Sequence, residues 1–249
     1  MSINDQNNGT FNPYSSGGNG YTDTESPGML LTKVFFAMFV SLLATGVLSY
    51  LIGSTLERYI DAVNETALGI LMVITFGSAI GLFVLAFVIT KQMNNGFTSI
   101  MPAYIIYLVL MAMLLSSVFI AYDMEVISLS FGVTAGVFGI MALMGYLSKG
   151  SLAGIPTLFM GVIIGAIGLS LVNFFLGSVM LAWIISFAVF AVILLITMYD
   201  VRKIKDMCNS GYMNENNNLV LYCSLILYLD FINIFLRVLR IIAIIARKK

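Results

Sequence analysis

The sequence contains no histidine. That removes the side chain most often used as a base near neutral pH and as a metal ligand. Only two cysteines occur, Cys208 and Cys223, too few for a zinc pattern or a disulfide framework. They flank one stretch between apolar segments and read as a reduced pair. Charge is scarce: 10% of residues are charged and the net charge is zero, whereas soluble domains run near a quarter charged. A zero balance gives no electrostatic case for nucleic acid, and a chain so poor in charge could not keep a soluble surface wet.

What the sequence has instead is apolar bulk, 60% hydrophobic with a mean hydropathy of +1.00. It comes in blocks of about 20 residues, the helical length that crosses a hydrocarbon core of about 30 Å. Seven blocks are expected as helices, at 30–53, 67–90, 102–122, 126–147, 154–177, 179–199 and 219–246. Spanning strands would alternate polar and apolar over about ten residues, and helices satisfy backbone groups within a segment, as lipid demands. The fold class is therefore an all-α membrane protein, one domain over 29–249. Residues 1–28, rich in Asn, Gly, Ser and Thr, are expected to form a disordered cytoplasmic tail. No charged stretch leading into an apolar one opens the chain, so no cleavable signal peptide is expected. Asn8-Gly-Thr and Asn64-Glu-Thr match a glycosylation pattern short enough to arise by chance.

The breaks carry the topology. Lys33, Lys91, Lys149, Arg202, Lys203 and Lys205 fall on one side if seven helices alternate, while Arg58 and the acidic Glu57, Asp61, Glu65, Asp123 and Glu125 fall on the other. The basic side is expected to be cytoplasmic, placing the N-terminus inside. The tail Arg247-Lys248-Lys249 dissents, since seven crossings put it outside. Gly77/Gly81, Gly132/Gly136 and Gly161/Gly165 have the four-residue spacing that permits close helix approach; ordinary packing explains them.

Two acids stand out. Asp200 ends the sixth block and Asp230 lies inside the seventh, about 16 Å past Leu219 at 1.5 Å per residue. A carboxylate near the bilayer centre costs about 2.5–3.5 kcal/mol on insertion scales and is by default a functional candidate. Contact requires the sixth helix to continue through Arg202, Lys203 and Lys205, which sets Asp200 deeper. Two carboxylates within hydrogen-bond reach resist double ionisation and titrate as a pair. The alternative for Asp200 is an interfacial residue bonded to Arg202 or Lys203. Arg237 shares the face of Asp230 about 10 Å further along the helix. Arg237 and Arg240 either attract an anionic group on another helix or snorkel to the outer interface.

These residues carry a resemblance. Tyr199-Asp200-Val201 with Lys203-Ile204-Lys205, and Leu225 to Arg240 (LILYLDFINIFLRVLR), resemble the signature ends of the Bax inhibitor-1, or transmembrane Bax-inhibitor-motif, family. Gly145-Tyr146-Leu147-Ser148-Lys149 with Leu152, and Leu171-Val172-Asn173-Phe174-Phe175, resemble its fourth-loop and fifth-helix patterns. The resemblance spans about 30–246 and is closest to the bacterial branch. It implies a seven-transmembrane-helix bundle with a central last helix, and a pH-sensitive calcium leak whose paired-aspartate sensor falls on Asp200 and Asp230. Calcium takes oxygen ligands, so the pair would also be the place for Ca²⁺. Arg240 matches a seventh-helix family arginine. In the bacterial type a second-helix arginine latches to the aspartates. Here 67–90 holds no basic residue, and Lys91 is the candidate replacement as gate or counter-charge. The stretch between the two aspartates is also long.

The resemblance implies a calcium leak channel and no cofactor beyond the ion, in a multi-pass protein of the bacterial plasma membrane, or of an endomembrane in a eukaryote. The second reading is a regulatory membrane protein that binds a partner such as an AAA protease or an apoptosis-related protein. An enzyme is the least supported. Intramembrane aspartyl proteases set their second aspartate in Gly-x-Gly-Asp, whereas Asp230 follows Tyr228-Leu229, and no other group supports hydrolysis.

Overall fold

The computed structural model describes residues 27–63, 65–94, 99–148, 152, 154–210 and 217–246. Residues 1–26 of the expected tail, both sequon asparagines, Lys149 and Arg247-Lys248-Lys249 lie outside the described residues, while Pro27 and Gly28 already belong to α1. Seven helices follow one another: α1 (Pro27–Val63), α2 (Glu65–Asn94), α3 (Met101–Ala121), α4 (Met124–Leu147), α5 (Ile155–Leu176), α6 (Val179–Asn209) and α7 (Asn217–Ala246). Each is long and apolar enough to cross a membrane.

The helices end where the sequence stops supporting them. Pro102 sits in the first turn of α3 and Pro156 in that of α5, where a missing N–H costs nothing. The α5–α6 hairpin turns on two residues. Gly177 takes a left-handed backbone, φ 60°, which favours glycine at a helix C-terminus. Ser178 then caps α6, its Oγ accepting from Leu181 N at 3.3 Å, while its own N–H donates to Asn173 Oδ1 at 3.0 Å.

Two helices overrun their expected ends. α1 continues past residue 53 to Val63, and α6 does not stop near residue 199 but runs to Asn209. No Gly or Pro occurs between Ser178 and Gly211, and Arg202 Nε donates to Asp206 Oδ2 at 2.9 Å, four residues on. Lys205 Nζ donates to the Tyr146 carbonyl at 2.7 Å and sits 4.4 Å over the Tyr146 ring, so the extension is pinned to the end of α4. Asn218 Oδ1 accepts from Ile100 N at 3.1 Å, tying the start of α7 to the start of α3. With antiparallel neighbours, these ties gather the described basic residues Lys33, Lys91, Arg202, Lys203 and Lys205 at one end.

The last helix is the central one. Over its most apolar 18 residues α7 is 56% buried, against 39% for α3, 28% for α1 and none of α5. It packs on α1, α4 and α6, with smaller contacts to α3 and α2. Leu227, Tyr228 and Ile234 are fully enclosed. The helices cross closely at Gly145, where an added Cβ would run into the Met198 carbonyl oxygen on α6 and meet Val201 Cβ at 3.2 Å. The three spaced glycine pairs behave differently. Of their six members only Gly81 has a neighbour, Leu110 Cδ1, within 4 Å of an added Cβ.

Candidate functional site

The site is built on the two faces of α7. On the face toward α1 and α3, hydroxyls bond to hydroxyls. Ser41 Oγ lies 2.5 Å from Tyr104 Oη, which lies 3.2 Å from Ser224 Oγ. Tyr228 Oη donates to Thr45 Oγ1 at 3.1 Å. Ser41, Thr45, Tyr104, Ser224 and Tyr228 are all buried. Ser41 and Ser224 also lie within donating distance of the Ala37 and Leu221 carbonyls of their own helices, so three hydroxyl protons are shared among four contacts. A hydrogen bond among buried groups has no water to compete with it in lipid, so this chain fixes α7 against α1 and α3. The sequence reading missed it, because each member looks like a lone hydroxyl in an apolar run; Tyr228, in the Leu-Tyr-Leu-Asp segment, was the best available signal.

On the face toward α6 one buried polar atom is left unsatisfied. Asp230 is 7% exposed, and its Oδ2 has no hydrogen-bond partner among the described residues. Asp200 is half-buried, and its charge acts on Asp230. Register explains how they come to face one another. Cys208 is eight residues after Asp200 and Cys223 seven before Asp230, about 12 and 10 Å along their helices. On antiparallel helices, a register that sets Cys208 against Cys223 therefore sets Asp200 against Asp230. Neither cysteine is in a disulfide and both are buried, and the Cys208 and Asp200 side chains both act electrostatically on the Cys223 thiol. The continuation of α6 to Asn209 makes this register possible, because it turns Asp200 from a terminal residue into one six turns along a helix.

The remaining candidates sit elsewhere. Arg202 is engaged by Asp206 rather than by Asp200. Lys203 is the cation whose field reaches Asp200, without an ion pair within 4 Å among the described residues. Lys91, near the end of α2, is exposed and makes no ion pair with either aspartate. Arg237 and Arg240 line a cavity against the first turns of α6, toward the opposite end from the extension that carries Lys203. No group of three or more His, Cys, Asp or Glu side chains gathers into a metal site among the described residues. Two carboxylates supply at most four oxygens, and calcium takes 6–8. Such a pair suits a passing, partly hydrated cation better than a resident one.

A model of the family described as inhibitor of apoptosis-promoting Bax1 matches residues 28–247. The chain belongs to the Bax inhibitor-1 family. Among its relatives is the inner membrane protein YbhL of Escherichia coli, 38% identical over 154 residues, which cover 61% of this chain and 65% of YbhL. A membrane protein of Streptococcus pyogenes is 30% identical over 210 residues, covering 83% of this chain and 91% of the relative. A protein of Borreliella burgdorferi is 31% identical over 215 residues, 84% and 89% of the two chains. Together with seven apolar helices, the match makes the chain a multi-pass integral membrane protein of this family. The family match spans all seven helices, so both faces of α7 lie within the matched region.

Proposed function

We propose that this Bax inhibitor-1 family protein is a pH-sensitive cation leak, with calcium as the favoured ion and the α6/α7 seam as its gate. The observation that carries the reading is Asp230, a carboxylate enclosed at mid-helix with one oxygen unpartnered and facing the charge of Asp200. Buried polar atoms are normally satisfied, and ionisable groups inside a membrane mark ion paths or proton relays. With one of them protonated, the like-charge repulsion across the seam is gone and α6 stays packed on α7. Without that proton, two like charges repel, and the seam either opens or takes up a cation. The leak therefore rises as pH rises. Ca²⁺ is drawn in as the doubly charged, oxygen-seeking ion that relieves that repulsion.

Calcium entry into proteoliposomes holding the purified chain, followed across a pH series, tests this. We expect entry that grows from acid to alkaline pH and is lost in Asp230→Asn. No entry at any pH would leave the second reading, a regulatory protein that binds a membrane partner. That reading has its own support in α5, where no residue is buried and Phe174 and Phe175 are 84% and 85% exposed, a whole helix face open to lipid or to another protein.

A further inference from the structure

At the end of the bundle away from the aspartates, α6 and α7 enclose a cavity of about 280 Å³. Val179, Trp183, Phe187 and Phe190 of α6 form its apolar wall, and Arg237 and Arg240 of α7 supply its charge. The two arginines are one turn apart, and neither has an ion pair among the described residues. The described acids of this end, Glu57, Asp123 and Glu125, are exposed and pair with neither. The cavity faces outward from the bundle: Phe187 is 61% exposed and Arg240 is exposed as well.

A guanidinium among apolar helices is costly unless an anion meets it, and two in one cavity repel each other. The anion available at that position is the phosphate of a phospholipid. Arginine's planar fork matches phosphate oxygens in pairs. The aromatic wall suits the glycerol and first methylenes behind the phosphate, and a Trp at such a level is a common interfacial anchor. At about 280 Å³ the cavity is at the small end of ligand pockets, which run to roughly 300–1,000 Å³. It therefore takes the headgroup-proximal part of the lipid, with the acyl chains lying along the exposed faces of α6 and α7.

From this charge complementarity we infer that the cavity is a binding site for an anionic phospholipid, its phosphate on Arg237 and Arg240 and its chains against Trp183 and Phe187. The inference does not depend on the leak reading, because it concerns different residues at the other end of the seam.

The test is native mass spectrometry of the full chain in detergent, with phosphatidylglycerol, phosphatidylcholine and the chain-free headgroup glycerol phosphate as probes. We expect phosphatidylglycerol to be retained about tenfold better than phosphatidylcholine. The double variant Arg237→Gln/Arg240→Gln should lose that preference, and Arg237→Lys/Arg240→Lys should keep most of it. Equal retention of the two lipids by the unaltered chain overturns the site, as does an unchanged preference in the Gln variant. Glycerol phosphate displacing the lipid at equal concentration would make it a site for free phosphate instead. A dimer that excludes lipid and falls apart in the Gln variant would make it a contact between copies. If the Gln variant does not fold, the two-lipid competition on the unaltered chain and the Lys variant decide the matter.

Discussion

Removing one carboxylate from the α6/α7 seam should have the same effect as removing both. Packed helices lie about 8–10 Å apart axis to axis. If side chains reaching across such a seam bring the two carboxylates within roughly 5–6 Å, two unit charges repel by about 3 kcal/mol at an effective dielectric of about 20. That repulsion exists only when both groups are charged. Asp200→Asn and Asp230→Asn each abolish it entirely, and the double variant has nothing left to abolish. A double-mutant cycle on the opening equilibrium should thus show a coupling of about 3 kcal/mol, on the order of a hundredfold. The assay is the initial rate of calcium entry into proteoliposomes for the unaltered chain and the three variants, at one acidic and one alkaline pH. The unaltered chain should leak faster at the alkaline pH. All three variants should be slow and flat with pH, the double variant no worse than the worse single one. Single effects that add in free energy would show that the residues act independently, and the paired sensor would fail. A variant inserted normally yet retaining the full pH response would remove that aspartate from the mechanism.

Two further outcomes follow from the packing. Gly145→Ala pushes a methyl group into the Met198 carbonyl, and overpacking of this kind costs about 1–3 kcal/mol. It should lower the unfolding temperature in detergent and alter the leak from two residues away from Asp200, whereas Gly132→Ala on the same helix, with nothing within 4 Å of its Cβ, should do neither. Equal behaviour of the two variants would disprove the close α4–α6 crossing. Cys208 and Cys223 are 2% and 0% exposed, so a maleimide should label them slowly when the seam is closed and faster as pH rises and it opens. Because the reagent itself prefers the thiolate, the readout is the ratio of rates in the unaltered chain and in Asp230→Asn. A ratio that does not change with pH would mean that the seam does not move.

What the sequence displayed and what it hid have separate physical causes. Bilayer thickness imposes a length on every spanning helix, so seven apolar blocks were legible and their centres fell where the helices are. The end of α6 was legible only as a condition for the two aspartates to meet. Arg202, Lys203 and Lys205 look like the close of a membrane span, yet polarity alone does not break a helix, and α6 continues through them to Asn209. Asp200 and Asp230 were legible as chemistry, since a carboxylate in an apolar run is conspicuous. Their juxtaposition was not, because it depends on the register that the α6 extension sets. Spacing also misled for glycine. The three pairs at four-residue intervals allow close approach without requiring it, while the tight crossing falls on Gly145, which has no glycine four residues to either side.

The same facts say which parts of the bundle can move against which. Hydroxyl chains bind α7 to α1 through Tyr228–Thr45 and to α3 and α1 through Ser224–Tyr104–Ser41. On the other side, Lys205 bonds the Tyr146 carbonyl and Gly145 packs on Met198, which fastens α4 to α6. Between these two bodies the contacts are of a different kind. Phe231 of α7 meets Phe131 and Phe138 of α4 ring to ring, with centroids 5.2 and 5.6 Å apart, and across the α6/α7 seam stand the aspartates. Ring pairs stay favourable over centroid separations of about 4.5–7 Å and so tolerate small slides, whereas a hydrogen bond weakens over a few tenths of an ångström. In the proposed mechanism, a change of charge at Asp200 and Asp230 would act on a boundary where no side-chain hydrogen bond between helices is seen among the described residues. The displacement it would drive is α4 and α6 together, sliding against an α7 that stays bonded to α1 and α3.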